Sequence, residues 1–171
     1  MVEKLSIADE APIIEPGQYW RAISMRACGA AIVASAIDGV PAGFLALSVS
    51  HFAVNPPTVI MSINKATSAL ATIYQSRILT VNFLRSTDER LARNFGGKVK
   101  GSLRFEDDQW KSLRTGAPVL KNALGVLDCV LEETIERHET ILAICQIMAF
   151  EENKAGDPLV FFGGRFHQFH P

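Results

Sequence analysis

Two neighbouring segments of the chain have residue types that suit a small anion with a flat ring attached to it. The segment from Asn64 to Ser68 has a lysine, two hydroxyls and backbone amides at the predicted start of a helix, which together suit a phosphate. The preceding strand contains Gly43 and other small residues, so a flat ring could lie close to its backbone. Because Ser48 and Ser50 are two residues apart, we expect their hydroxyls on one face of that strand. A flat ring beside a phosphate is the shape of flavin mononucleotide (FMN).

Both segments also have an ordinary structural explanation. Ser48 and Ser50 would equally be solvent-facing residues of a half-buried sheet. The segment from Asn64 to Ser68 would equally be a capped helix start with an exposed lysine. From these residues alone, neither explanation excludes the other.

His138 is the main candidate for proton chemistry. It lies in the predicted turn of a long hairpin between two apolar strands, so we expect its side chain to be accessible. A pKa near neutrality would let it hold or release a proton, although a lone exposed histidine most often has no role. Near the C-terminal end, the Arg165 guanidinium suits a phosphate, and Phe166 could form a wall beside a ring. His51 is a weaker candidate.

The pattern of short strands and tight turns predicts a mainly β protein with peripheral helices, and a β-barrel rather than a βαβ sheet. Asp38-Gly39 predicts a two-residue hairpin turn, and Ser86–Glu89 a capping box. We expect residues 1–15 to form an N-terminal arm and residues 16–171 one domain. Predicted helices begin at Pro16, Ser68 and Ser86. Predicted strands cover 32–37, 40–49, 58–63, 78–84, 125–136, 140–150, 159–162 and 165–169, and the last two are expected to close the sheet. An exposed loop is predicted over 96–108, with a turn at Trp110.

The composition is that of a soluble globular protein, with 171 residues, 48% apolar, 20% charged and a net charge of -1. Basic residues are spread along the chain, which argues against a nucleic-acid partner. The longest apolar run, residues 141–150, is interrupted by Gln146 and is too short to span a bilayer, so no membrane association is expected. The start lacks an export-signal pattern, and the cysteines lack metal-like spacing. We therefore predict a cytoplasmic protein without a metal site and with three reduced, buried thiols at Cys28, Cys129 and Cys145.

Five motifs occur in a fixed order along the chain, and no Gly-x-Gly-x-x-Gly sequence follows a strand. They are Gly29-Ala-Ala-Ile-Val33, the segment from Gly43 to Pro57, Leu91-Ala-Arg-Asn-Phe-Gly-Gly97 with the later Phe105 and Trp110, the turn Glu136-Arg-His138-Glu139, and Asp157-Pro-Leu-Val-Phe-Phe162. With these motifs in register from about Trp20 to Phe169, the chain resembles the flavin reductase family. Each motif alone is weak, and their shared order makes the resemblance specific.

The resemblance implies an FMN-binding split β-barrel of Greek-key type that acts as an NAD(P)H:flavin oxidoreductase. Such proteins reduce FMN or FAD with NADH or NADPH and supply the reduced flavin to a partner monooxygenase. A homodimer with the flavin near the subunit interface is implied, with the turn histidine, here His138, near the nicotinamide. The implied flavin contacts are Ala46, Leu47, Ser48 and Ser50 for the ring, Asn64, Lys65, Thr67 and Ser68 for the phosphate, and Arg165 and Phe166 from the last strand.

The chain departs from the family pattern at two places. Leu45 and Leu47 stand where the family usually has hydroxyl residues, and Glu136-Arg137 replaces the common Gly-Asp before the histidine. Two alternatives therefore stay open. One is a flavin-binding carrier or electron-transfer protein without turnover, and the other is a related barrel that reduces a different acceptor, such as a quinone, ferric chelate or corrinoid.

Overall fold

Antiparallel strands make up most of the computed structural model, which describes residues 14–98, 101–105 and 108–168. The mainly β prediction with peripheral helices is confirmed. Residues 1–13 of the predicted arm, with Phe169 and His170, lie outside the described residues. The strands are β1 (Cys28–Gly29), β2 (Ala31–Ile37), β3 (Val40–Ala46), β4 (Ser50–Val54), β5 (Pro57–Asn64), β6 (Ile78–Phe83), β7 (Trp110–Ser112), β8 (Pro118–Leu120), β9 (Gly125–Arg137), β10 (Thr140–Glu152), β11 (Leu159–Phe162) and β12 (Arg165–Gln168).

Three short helices lie around these strands. They are α1 (Pro16–Ile23), α2 (Leu70–Ser76) and α3 (Glu89–Arg93), with 3-10 turns at Ser86–Asp88 and Gly101–Phe105 and a wider helical turn at Asn94–Lys98. Within the described ranges, none of the helices has the length and apolar character needed to cross a membrane.

Two hairpins appear where the sequence predicts them. Asp38 and Gly39 have φ angles of 49° and 79°, which is the left-handed geometry of a two-residue turn that matches the twist of β2 and β3. The long hairpin of β9 and β10 turns at His138, with φ 50°, and Arg137 pairs with Thr140. Both turn predictions are confirmed.

The central sheet curls into a barrel because its two edge strands are consecutive in the chain. The strand order is β3-β2-β6-β9-β10-β5-β4, so β3 and β4 lie at opposite edges. Only residues 47–49 connect them, and four residue steps span at most about 14 Å. The edges must therefore approach each other, while no ladder joins them. This leaves the barrel split at one side.

Each face of the central sheet has its own hydrophobic core, as the two-residue period of a strand requires. Ala31 and Val33 belong to the first core, together with Ile73 of α2. Ile32 and Ala34 belong to the second core, which β11 and the segments after α3 cover. Both cores are needed because the strands of this sheet are apolar on both sides.

The β9–β10 hairpin extends beyond the rest of the sheet. Ile78, the first residue of β6, pairs with Val130, and Arg77 bonds to the Leu131 amide and the Glu132 carbonyl, so β9 pairs with β10 alone after Glu132. A bulge between Ile144 and Cys145 lies next to this level. The turn with His138 therefore stands at the end of a three-stranded ribbon, in which β10 lies between β9 and β5.

The prediction that the last two strands close the central sheet is wrong. β11 and β12 form a separate three-stranded sheet with β1, in which Cys28 pairs with Phe161. The amide of Leu159 donates to the Leu84 carbonyl at 3.0 Å, and the amide of Ala30 donates to the Leu159 carbonyl at 2.8 Å. These bonds hold β11 against the second core, where Leu159 is fully buried.

The predicted capping box is displaced by one residue. The Asp88 carboxylate, rather than Glu89, accepts the Arg85 amide at 2.9 Å, because Arg85 is still extended when β6 ends. Trp110 was predicted to lie in a turn, but it starts β7. Its ring lies 4.7 Å from that of Phe105, and the second core holds both side chains.

Gly43→Ala is expected to lower the free energy of unfolding by about 1–3 kcal/mol, because the core would be overpacked. A Cβ at Gly43 would lie 2.8 Å from the Val33 carbonyl oxygen, 2.9 Å from Phe95 and 3.0 Å from Phe105. Urea denaturation measures the change. Gly29→Ala is the control, since a Cβ there meets nothing within 4 Å. Equal stability of the two variants would contradict this packing.

The three cysteines should differ in reactivity. Cys28 is half-buried, whereas burial raises the pKa of the Cys129 thiol and raises that of Cys145 to about 12. With Ellman's reagent at about pH 8, we expect one reactive thiol in the native protein and three after denaturation, because the thiolate is the nucleophile. Cys28→Ser should abolish the native reaction. A fast native reaction in that variant would show that a buried thiol is accessible.

Candidate functional site

The predicted anion-binding turn and the histidine turn lie side by side. Thr140 pairs with Asn64 on one side and with Arg137 on the other. In addition, the Lys65 amide donates to the Glu139 carbonyl at 2.8 Å. The fold therefore brings together the end of β5, which leads into residues 64–68, and the tip of the β9–β10 hairpin.

The backbone of this turn is held by its own residues. The Asn64 side chain accepts the Ala66 amide at 2.8 Å, and the Asn64 carbonyl accepts the Thr67 amide at 2.9 Å. Three amides, those of residues 65, 66 and 67, therefore already have acceptors, and the Asn64 side-chain oxygen is engaged. The expectation that the free amides of a helix start lie here needs correction, because these bonds leave only part of the turn available.

The two hydroxyls of the turn remain available. The predicted helix at Ser68 begins at Leu70, with Ala69 at its cap, and no side chain caps it. Among the described residues, no hydrogen bond engages the hydroxyl of Thr67 or Ser68. Both hydroxyls therefore stand free in the turn, two and three residues after Lys65.

Lys65 has a partner that the sequence analysis did not identify. Its Nζ lies 2.7 Å from Oε2 of Glu136, and the two side chains are 39% and 66% exposed. A hint was present in the sequence, since Lys65 continues the alternation of Met61 and Ile63 and therefore points to their side of the sheet. The pairing of β5 with β10 and of β10 with β9 could not be read from that alternation.

Ser48 and Ser50 do not share a strand, contrary to prediction. β3 ends at Ala46, where it leaves β2, so Ser48 lies in the connection and Ser50 begins β4. The Ser48 hydroxyl accepts the Ser62 amide and donates to the Ser62 carbonyl, both at 3.1 Å. The Ser50 hydroxyl donates to the adjacent His51 carbonyl, at 3.3 Å. Ser48 thus joins the β3–β4 connection to β5, two residues before Asn64.

The residues around this connection face different cores. Ala46 is buried in the first core, whereas the side chains of Leu45 and Leu47 pack against the second core. The Leu47 carbonyl accepts the Arg26 guanidinium at 3.3 Å. The two leucines therefore add to the second core rather than to the first core.

Arg165 and Phe166 lie elsewhere in the fold. Both are on β12, in the second sheet. Phe166 packs against the second core, with the Arg93 guanidinium 5.3 Å from its ring centroid, and the Arg165 Nε lies 3.3 Å from His167. Within the described part of the chain, no hydrogen bond, ion pair or ring contact joins either residue to residues 64–68. His51 is exposed on β4, at the edge of the central sheet.

Known proteins resemble this chain over most of its length. The family model described as "Flavin reductase like domain" matches residues 25–170. FMN reductase (NADH) RutF 2 of Rhizobium rhizogenes is 36% identical over 160 residues, which is 94% of this chain and 92% of that protein. FMN reductase (NADH) RutF of Ancylobacter novellus is 32% identical over 165 residues, covering 96% and 91%.

A solved structure has the same fold. The flavin reductase PheA2 in its native state superposes with a TM-score of 0.85 at 27% identity, covering 92% of this chain and all of that one. The split barrel described above is therefore the architecture of a solved flavin reductase.

Ser48→Ala is expected to lower the free energy of unfolding by about 1 kcal/mol, because two hydrogen bonds to Ser62 are lost. Thermal and urea denaturation measure the change. Ser50→Ala should have a smaller effect, since its hydroxyl bonds to the next residue. If both variants lose the same stability, Ser48 does not join the connection to β5 in the way described.

Proposed function

The chain belongs to the flavin reductase family, and from this premise we propose how its own residues support the reaction. It is a flavin oxidoreductase with FMN and NADH as cofactors, as the names of its relatives RutF and RutF 2 indicate. The observation that carries the proposal is the juxtaposition of the 64–68 turn with the His138 turn.

The residues of the turn fit the phosphate of FMN. Thr67 and Ser68 have hydroxyls that no described residue engages, and Lys65 supplies a cation in the same turn. The Asn64 side chain contributes by holding the Ala66 amide, so it shapes the turn rather than offering a donor. The backbone of residues 46–48 and the Ser50 side chain would border the ring. Arg165 and Phe166 would contribute only from a second subunit.

When both are bound, the nicotinamide would supply a hydride from C4 and the flavin would accept it at N5, so the reactivity would belong to the cofactors. The protein has to hold the two rings about 3–3.5 Å apart and to exclude water. We assign the orientation of the nicotinamide to His138, because its turn is joined to the phosphate turn by the Lys65–Glu139 backbone bond of 2.8 Å. An imidazole there can donate a hydrogen bond to the carboxamide.

The flavin is an exchanging substrate in this proposal. Asn64, Lys65, Ala66 and Ser68 are all exposed, so the phosphate would remain near solvent. An open site of this kind suits a flavin that leaves after reduction and is taken up by a separate monooxygenase.

We also infer a homodimer. β4 is an edge strand with every residue exposed, and Phe52 and Val54 on it are 60% and 91% exposed. Trp20 of α1 is 66% exposed, and α1 buries no residue. Exposed apolar edges of this kind favour association with another chain. A second copy would cover them and close the site from the side.

Steady-state oxidation of NADH in the presence of FMN tests the function. The proposal expects continuous turnover in which FMN behaves as a saturable substrate. A carrier without reductase activity would bind FMN but consume no NADH. Parallel assays replace FMN with a quinone or a ferric chelate, each with and without added flavin. NADH oxidation that depends on one of these acceptors and not on flavin would identify a reductase for another acceptor.

His138→Ala is expected to raise the KM for NADH about threefold to tenfold, the effect of losing one orienting hydrogen bond, while the Kd for FMN is unchanged. Turnover kinetics and flavin fluorescence titration measure the two quantities. His167→Ala is the matched control, since His167 lies on β12 with its ring near the Phe162 carbonyl. Loss of FMN binding with an unchanged KM for NADH would refute the role given to His138.

A further inference from the structure

The lysine of the anion-binding turn is already paired when no phosphate is bound. We propose that Glu136 sets the affinity for FMN by competing with its phosphate for Lys65. This inference rests on the proposed function, because it requires the phosphate to bind at the 64–68 turn.

The fold forces the two side chains together. Ile63 pairs with Ile141, and Ile141 pairs with Glu136, so these three positions lie in one row across β5, β10 and β9. Directly opposed residues point to the same side of a sheet. Lys65 lies two residues beyond Ile63, in the turn that follows β5. Its long side chain reaches back over the row, and the ammonium lies 2.7 Å from the Glu136 carboxylate.

The Lys65–Glu136 ion pair is strong enough to affect the binding of FMN and weak enough for Lys65 to leave Glu136 when a phosphate binds. Both side chains are well exposed, at 39% and 66%, and pairs of this kind contribute little to stability. A phosphate near neutral pH carries up to two negative charges, which attract the ammonium more strongly than one carboxylate does. Binding of FMN therefore costs the Lys65–Glu136 contact and leaves Glu136 facing another anion.

The backbone contact between the two turns survives this exchange. The Lys65 amide donates to the Glu139 carbonyl, and neither group belongs to the ion pair. Loss of the ion pair thus changes the charge around the phosphate while the turns stay joined. For this reason Glu136 should affect the binding of FMN and leave the binding of riboflavin, which has no phosphate, unchanged.

The test compares Glu136→Gln, Glu139→Gln and Lys65→Met in titrations with FMN and with riboflavin. Glu139→Gln is the matched control, because it removes the same charge from the same hairpin tip, and no described residue forms an ion pair with Glu139. We expect Glu136→Gln to bind FMN about twofold to fivefold more tightly than Glu139→Gln does. The gain should shrink when the salt concentration is raised from about 0.05 M to about 0.5 M. In the Lys65→Met background the gain from Glu136→Gln should be smaller, since only the repulsion between Glu136 and the phosphate is then removed.

Equal affinities of Glu136→Gln and Glu139→Gln for FMN would overturn the inference while leaving the reductase function intact. An equal gain for riboflavin would overturn it as well, since the phosphate would then not be involved. So would an unchanged ratio of FMN to riboflavin affinity in Lys65→Met. Failure of the unaltered protein to bind either flavin or to oxidise NADH would instead refute the proposed function itself.

Discussion

The short connection between β3 and β4 is the constraint on which the rest of the structure depends. Three residues join opposite edges of a seven-stranded sheet, so the sheet has to curl until those edges meet. Because the sheet curls, the apolar residues of β2 face two separate cores, with Val33 in the first and Ile32 in the second. The same connection places Ser48 against Ser62, which lies two residues before the anion-binding turn.

The candidate site follows from the pairing of β10 with both of its neighbours. β10 has β5 on one side and β9 on the other, so the polar turn after β5 and the histidine turn after β9 must end at the same place. Neither turn needs the other for its local geometry. The Asn64 side chain shapes the first, and the left-handed conformation of His138 shapes the second. Their nearness is a property of the whole sheet.

Features set by adjacent residues could be predicted from the sequence, whereas those set by long-range pairing could not. Asp38-Gly39 predicts its hairpin because the turn geometry depends on those two residues alone. The Ser48–Ser50 prediction failed because β3 ends at Ala46, opposite Ala31 where β2 begins, fifteen positions earlier in the chain. The Lys65–Glu136 pair spans 71 positions and three strands, and no local pattern reveals it. The outer position of Arg165 likewise follows from the pairing of β11 with β1.

The overhanging ribbon has a consequence for motion. Beyond Glu132, where Arg77 makes its last hydrogen bond to β9, this strand pairs with β10 alone, and the irregularity at Cys145 lies near that level. Since β5 follows β10 up to Asn64, bending at this level would swing the lysine turn and the histidine turn as one body. The distance between two ligands held at these two turns would then change little when the rest of the barrel fluctuates.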